Sequence, residues 1–143
     1  MEWSALEHSV HRLAWCLAGL KPNLGRCITQ HVAFGAVWDS ILSMSIELDL
    51  PAERQSELKA LHSQCAPLRL RRNEVVHALW GVTAGTNLSK GELTAIVAKA
   101  RGKLKVDMYN YTTDFMHELA GQISQLSLAI ATQAMEPPGG KVA

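Results

Sequence analysis

Apolar residues recur three and four positions apart near the start of the chain, which is the spacing of one face of an α-helix. They are Trp3, Leu6, Val10, Leu13 and Leu17. Gly19 follows, and glycine often ends a helix because it adopts the left-handed backbone conformation without a steric cost. The pattern predicts a first helix that ends near Gly19. A loop is expected over residues 20–25, where Pro22 and Gly25 favour turns.

Two apolar stripes run through residues 26–48 and predict one central, buried helix. The first stripe contains Ile28, Val32, Gly35, Leu42 and Ile46, and the second contains Phe34, Val37, Ile41, Met44 and Leu48. Asp39 is in register with the first stripe. A carboxylate there is expected to be buried and paired, or else to show that the stripe opens onto a polar site. The partner we expect for Asp39 is Arg72.

A third helix is predicted to begin at Pro51, because proline suits a first helical turn and Glu53 complements the positive end of the helix dipole. Its buried face contains Leu58, Leu61, Cys65 and Leu68. Pro67 lacks the N–H that an unbroken helix would use. We therefore expect a kink or break near Ala66, with a fresh helix after it.

The pattern changes to β-type after residue 81, where glycines interrupt the helical spacing. Residues 93–97 and 104–111 are rich in strand-forming side chains and predict a hairpin joined across residues 101–103. Thr112 is placed to cap a last helix. The buried face of that helix is predicted to contain Phe115, Leu119, Ile123, Leu126 and Ile130.

These elements predict a mainly α fold, an up-and-down bundle of four to five helices with a small β-hairpin insert at about residues 82–111. We expect a single domain over residues 1–135 and a flexible tail over residues 136–143, which is rich in proline and glycine. The chain has 143 residues, of which 48% are hydrophobic and 19% charged. A chain of this length and composition can bury a core without disulfides or metals.

Charge and cysteine content narrow the classes of function. The formal net charge of +1 argues against a broad basic surface for nucleic acid, so any RNA binding should be local. The lysines and arginines at positions 90, 99, 101, 103 and 105 are interpreted as a solvated hairpin edge, although with Tyr109 and Tyr111 they also suit an RNA strand. The three cysteines are predicted to be small buried hydrophobic residues in a reducing compartment.

Several kinds of site are not expected. The chain has no Cys-x-x-Cys pair and no glycine-rich phosphate loop, so we predict neither a metal nor a cofactor. No apolar run approaches the length of a membrane span, and no secretion-signal pattern is present. We therefore expect a cytoplasmic protein without membrane association.

The densest group of polar functions lies in residues 70–80. Arg72 continues the buried face of the third helix, whereas Asn73 and His77 are four residues apart and share another face, with Trp80 three residues further on. This spacing would let Asn73 orient the His77 imidazole above the Trp80 indole. At about 100° per residue, Arg72 and His77 project about 140° apart. A site that uses both requires Arg72 to curl around its helix, or a second subunit.

Arg72-Asn73-Glu74-Val75-Val76-His77 resembles the signature of the HEPN superfamily, in which Arg is followed by four to six residues and then His. Arg26 and His31 share this spacing but lack the adjacent Asn. The resemblance implies a helical homodimer whose two motifs meet in a cleft. It also implies a metal-independent ribonuclease of a toxin or phage-defence system, with an antitoxin or regulatory protein as partner. Other members of the superfamily are not catalytic.

In that interpretation, His77 is the general acid/base acting on a ribose 2′-hydroxyl, Arg72 clamps the phosphate, and Asn73 orients the phosphate or His77. The alternative is a non-catalytic helical dimer that serves as an interaction or regulatory module. In the alternative, Arg72 pairs with Asp39, and His77 is hydrogen-bonded within the core. Whether the chain is an enzyme is therefore left open by its sequence.

Overall fold

The computed structural model describes residues 2–100 and 104–137. This part of the chain is mainly helical and contains a small antiparallel sheet, as the sequence predicted. The helices are α1 (Glu2–Leu17), α2 (Pro22–Thr29), α3 (Phe34–Glu47), α4 (Ala52–His77) and α5 (Thr113–Met135), and the strands are β1 (Leu79–Gly81), β2 (Glu92–Ala100) and β3 (Leu104–Thr112). Across these described ranges, each helix is either too short or too polar to span a bilayer.

The chain divides into two compact units. The first unit contains residues 2–66 and 123–137, and the second contains Pro67–Gln122. The division falls at Pro67, but α4 passes through this residue and continues to His77, so the predicted fresh helix after Ala66 is wrong. Proline removes only one backbone hydrogen bond, and a helix of 26 residues retains bonded turns on both sides of it.

The end of α1 follows the prediction from Gly19. This glycine has a φ of +65°, in the left-handed region. Its N–H donates to the carbonyl of Cys16 at 3.2 Å, and the N–H of Leu20 donates to the carbonyl of Trp15 at 2.8 Å. These two bonds satisfy carbonyls that the end of a helix would otherwise leave open.

Of the loop predicted over residues 20–25, only residues 20 and 21 lie outside a helix, because α2 begins at Pro22. Pro22 occupies the first helical turn, where its missing N–H costs nothing. Gly25 lies inside the helix and against the indole ring of Trp15, so that a Cβ at this position would overlap the ring. The glycine therefore allows α2 to pack closely against Trp15, and it does not form a turn.

The single helix predicted over residues 26–48 is also wrong, because the chain turns at residues 30–33 between α2 and α3. Ala33, just before α3, has an extended backbone with ψ of 142°. The second apolar stripe supplies the buried residues Val37 and Ile41, whereas Ile28 and Ile46 of the first stripe are exposed. Asp39, in register with the exposed stripe, is itself exposed, so the predicted buried carboxylate is wrong.

The core of the first unit is built around aromatic and aliphatic side chains of α1, α3 and α4. Trp38 is fully buried, and its ring centroid lies 5.3 Å from that of His62. Burial raises the pKa of the nearby Cys65 thiol to about 11, with a smaller opposing contribution from Trp38. Cys65 is thus the buried cysteine that was predicted, whereas Cys16 is half-buried and Cys27 is exposed. The prediction was wrong for Cys27 because α2 leaves most of its surface open.

The second unit contains the sheet, in the order β1-β2-β3. The predicted hairpin is confirmed, since β2 and β3 pair antiparallel from Glu92 opposite Thr112 to Ala100 opposite Leu104. Its turn at residues 101–103 lies outside the described residues. The third strand, β1, was not predicted, and it takes Leu79 and Trp80 out of the helical pattern.

Helix α5 begins and packs as predicted. The Thr112 hydroxyl accepts a hydrogen bond from the N–H of Phe115 at 3.1 Å, which caps the helix. Its predicted face is buried at Leu119, Ile123, Leu126 and Ile130, and half-buried at Phe115.

Candidate functional site

The last turns of α4 carry the candidate motif, by which we mean Arg72, Asn73 and His77. Arg72 and Asn73 are half-buried, and His77 is exposed as the last residue of the helix. The Nη1 of Arg72 donates to the Oδ1 of Asn73 at 3.0 Å. Asn73 lies only about 40° around the helix from His77, so this bond turns the guanidinium toward the side of the helix that His77 occupies.

The exposure of His77 contradicts the structural role that was expected for this residue in a non-catalytic dimer. A structural His77 was expected to be hydrogen-bonded inside the core. Its side chain is instead exposed, and in residues 2–100 and 104–137 no group bonds to it. The physical reason is that α4 ends here and the chain enters β1, so the last turn is not covered on this side.

Trp80 has a different role from the one predicted, in which it lay below the His77 ring. Its Nε1 donates to the carbonyl of Val75 at 2.9 Å, which satisfies one of the carbonyls left open at the end of α4. Its ring centroid lies 5.9 Å from that of Tyr111. Trp80 therefore connects the end of the helix to the sheet.

A row of parallel rings, not predicted as such, lies close to the motif in the second unit. We call Tyr109, Tyr111 and Phe115 the aromatic stack. The centroids of Tyr109 and Tyr111 are 6.1 Å apart with their planes at 28°, and those of Tyr111 and Phe115 are 4.6 Å apart at 20°. The guanidinium carbon of Arg71 lies 5.9 Å from the Phe115 centroid.

The middle of the aromatic stack is held by a carboxylate of α4. The Tyr111 hydroxyl donates to Oε2 of Glu74 at 3.3 Å. Burial, followed by the negative charge of Glu74, raises the pKa of the Tyr111 phenol above its ordinary value. Tyr111 thus stays neutral as a donor. The alternation of Tyr109 and Tyr111 along a strand was the sequence signal for this row, but the contribution of Phe115 required the fold.

Charge is distributed unevenly between the two units. Pro67–Gln122 contains eight Lys and Arg against five Asp and Glu, a formal net charge of +3. Residues 2–66 and 123–137 contain five Lys and Arg against eight Asp and Glu, a formal net charge of −3. The formal net charge of +1 for the whole chain therefore does not reflect the second unit, which is basic and carries the candidate motif.

Arg54 is the best-connected polar residue that the sequence reasoning missed. It is only 7% exposed. Its Nη1 donates to the carbonyl of Pro137 at 2.8 Å, and its Nη2 donates to those of Gln133 and Glu136 at 2.9 and 3.1 Å. The guanidinium thus caps the end of α5. No periodic pattern marks Arg54, because it lies in the polar first turn of α4.

Two residues of the predicted tail accept these bonds. Glu136 and Pro137 are held by Arg54, and the Glu136 carboxylate also lies 3.5 Å from the Arg54 Nε. Residues 138–143, the remainder of that predicted tail, lie outside the described residues.

Known proteins add no assignment to this geometry. No model of a protein family matches the chain, and neither the curated proteins nor the solved structures contain a match. Within the described part of the chain, no three His, Cys, Asp or Glu side chains come together as metal ligands could. The interpretation of the site therefore depends on its own contacts.

Proposed function

We propose that this chain is a homodimeric, metal-independent endoribonuclease of the HEPN type, with Arg72, Asn73 and His77 as its catalytic residues. The observation that carries the proposal is the bond from Arg72 to Asn73 beside an exposed His77. A site that uses both residues requires Arg72 to curl around its helix toward His77, and this hydrogen bond directs the guanidinium that way. A guanidinium and an imidazole on one surface can serve a single phosphodiester.

The reaction needs only groups of the protein and the RNA. His77 takes the proton of a ribose 2′-hydroxyl, and the resulting oxygen attacks the adjacent phosphorus. The bond from phosphorus to the 5′-oxygen breaks, and a protonated imidazole returns a proton to that oxygen. The products are a 2′,3′-cyclic phosphate and a 5′-hydroxyl.

The other two residues act on the phosphate. Arg72 stabilises the negative charge that grows on the phosphoryl oxygens, for which its planar fork of donors is suited. The Oδ1 of Asn73 already accepts from Arg72, so the Nδ2 group is the part of Asn73 that donates to a phosphate oxygen.

A second copy of the chain completes this site. Leu70 is 67% exposed and lies on the same side of α4 as Asn73 and His77, and Val76, which is also exposed, projects about 100° around the helix from His77. Apolar side chains beside polar catalytic groups favour contact with another protein surface. A dimer of this face would supply two imidazoles, one for each proton transfer. The proposal includes the up-and-down bundle of the HEPN superfamily, and the antitoxin or regulatory partner that the resemblance implies.

The same exposed apolar residues favour a second candidate function. A non-catalytic dimer that serves as an interaction or regulatory module would use Leu70 and Val76 as contacts, with His77 as a surface residue. The two candidates share the dimer and differ in RNA cleavage.

The test is cleavage of a mixed RNA pool in the presence of a chelator. We compare the native protein with His77→Ala and Arg72→Ala, and with the matched controls His117→Ala and Arg69→Ala, whose residues are exposed in the same unit. The first two variants should lose at least about a hundredfold in rate. The controls should cut like the native protein and leave cyclic-phosphate ends.

Two results would overturn the nuclease. One is a His77→Ala variant that cuts at the native rate, which would assign the activity elsewhere. The other is a native protein that is dimeric by sedimentation but cuts no RNA, which would favour the interaction module. Each variant is first checked for an unchanged unfolding midpoint and dimer mass.

A further inference from the structure

One face of the sheet carries both the exposed ring of Tyr109 and the positively charged side chain of Lys105. Side chains alternate between the two faces along a strand, so Lys105, Asp107, Tyr109 and Tyr111 of β3 lie on the same face. Trp80 lies on this face too, because it pairs with Ala95, which pairs with Tyr109. On β3, the opposite face carries Val106, Met108 and Asn110, which are uncharged. The two faces of β3 therefore present different chemistry.

The aromatic stack has one open end. Tyr109 stacks on Tyr111, which stacks on Phe115, and the Arg71 guanidinium lies over the Phe115 ring. Tyr109 is the outermost ring and is 37% exposed. Tyr111 is anchored by its hydrogen bond to Glu74, so the rings beneath Tyr109 are ordered in advance. A flat ligand that stacks on Tyr109 therefore binds with only a small entropy cost for ordering the rings beneath it.

The positively charged side chain of Lys105 lies on the same face of β3 as Tyr109, four residues before it along the strand. The Lys105 side chain is 74% exposed and lies 3.3 Å from the Asp107 carboxylate. An exposed ion pair of this kind contributes little, so a phosphate can compete for the lysine. A solvated hairpin edge accounts for the lysines but not for a row of parallel rings that ends in solvent.

We infer that Tyr109 is a binding site for an unpaired base of a single-stranded nucleic acid, which stacks on the open end of the aromatic stack while Lys105 contacts a neighbouring phosphate. Base stacking on aromatic side chains with nearby positive charge is a general mode of single-strand binding. The inference rests on the proposed function, since it names the substrate class as RNA with unpaired bases. A duplex, whose bases are already stacked, should bind less tightly.

The test measures binding separately from cleavage. Fluorescence anisotropy follows labelled ten-nucleotide single strands of U and of A, and a duplex, with the His77→Ala protein in chelator. Adding Tyr109→Ala should weaken single-strand binding by about 5- to 150-fold. Tyr109→Leu, which keeps apolar bulk but lacks the flat ring, should show a similar loss. Tyr109→Phe should bind like the parent protein.

The matched control is Met108→Ala, because Met108 is the neighbouring residue on the opposite face of β3 and is 57% exposed. It should leave affinity unchanged. The inference is overturned if Tyr109→Ala binds as tightly as the parent, if Met108→Ala loses as much as Tyr109→Ala, or if the duplex binds as tightly as the single strand.

The failure of this site and the failure of the nuclease are distinguishable. Cleavage that depends on His77, together with single-strand binding that ignores Tyr109, would remove the stacking site alone. Single-strand binding that depends on Tyr109, with no cleavage by the native protein, would remove the nuclease and keep the stacking site.

Discussion

The two units of the chain use their aromatic residues in opposite ways. In the first unit, Trp3, Trp15 and Trp38 are all buried. In the second unit, Trp80 and Tyr111 are half-buried and Tyr109 is exposed. A buried ring adds stability through the apolar surface that it removes from water, whereas an exposed ring in a basic unit is available to a ligand. Stability and recognition are thus expected to depend on different parts of this chain.

Two of the arginines of α4 show the same contrast. Arg54 in the first unit donates to three backbone carbonyls and is almost fully buried, so its hydrogen bonds serve the fold. Arg72 in the second unit is half-buried and turned toward Asn73, beside the exposed His77. The residue type is the same, and its surroundings decide between a structural and a chemical role.

The largest expected effect comes from emptying the core of the first unit. Trp38→Ala removes a fully buried ring and should lower the free energy of unfolding by about 3–5 kcal/mol. The matched variant Trp80→Ala, in the second unit, should cost less because Trp80 is only half-buried. Denaturant titration followed by circular dichroism measures both. Equal losses would break the contrast between the units.

Removal of the Arg54 guanidinium is expected to have the next largest effect. Arg54→Ala leaves the carbonyls at the end of α5 without their donor and should lower the free energy of unfolding by about 1.5–3 kcal/mol. Arg69→Ala, at an exposed position of the same helix, should stay within about 0.5 kcal/mol of the native value. Thermal and denaturant unfolding should agree. A loss at Arg69 as large as that at Arg54 would contradict the capping role.

The same substitution at two glycines should have opposite signs. Gly25→Ala places a methyl group into the Trp15 ring and should destabilise the protein by about 1–3 kcal/mol. Gly121→Ala, in α5, meets no atom within 4 Å and should stabilise it by about 0.5–1 kcal/mol. Unfolding midpoints of the two variants test the pair. Stabilisation by Gly25→Ala would show that the close packing of α2 on Trp15 is not needed.

The smallest expected effect is a dependence of stability on pH that comes from His11. Burial lowers the pKa of the His11 imidazole; Glu7 opposes this and His8 adds to it. Its Nδ1 also lies 2.9 Å from the Thr29 hydroxyl. Because the folded pKa is depressed, the unfolded chain takes up the proton first. Stability should therefore be complete above about pH 6.5 and decrease as the pH falls toward the lower folded value.

Two variants test this assignment by unfolding at several pH values between 5 and 8. His11→Gln should flatten the decrease, because the titrating group is gone. His77→Ala should keep the decrease, since His77 is exposed in the second unit. If His77→Ala also flattened the decrease, His77 would behave as a buried structural residue, and the proposed catalytic role would lose its support.

Local signals were sufficient for the elements whose boundaries depend on adjacent residues. The apolar spacing of α1 and α5, the glycine that ends α1 and the threonine that caps α5 all act within one or two turns of the chain. The β2–β3 hairpin likewise joins neighbouring segments. Such features are determined by sequence because their partners are close along the chain. The choice of Arg72, Asn73 and His77 as candidate residues was also made from sequence alone.

Only the tertiary structure decided the features whose partners are distant. Gly25 packs against the distant Trp15 ring, which leaves no room for a side chain there. Arg54 is buried where the end of α5, about eighty residues further along the chain, accepts its hydrogen bonds. Asp39 is exposed because the fold covers the second apolar stripe of residues 26–48 and not the first, with which Asp39 is in register. Periodicity shows that a face is apolar, but burial requires another surface to cover it. For the same reason, sequence could propose the Arg72–His77 motif, and only the fold turned the guanidinium toward Asn73 and left His77 exposed.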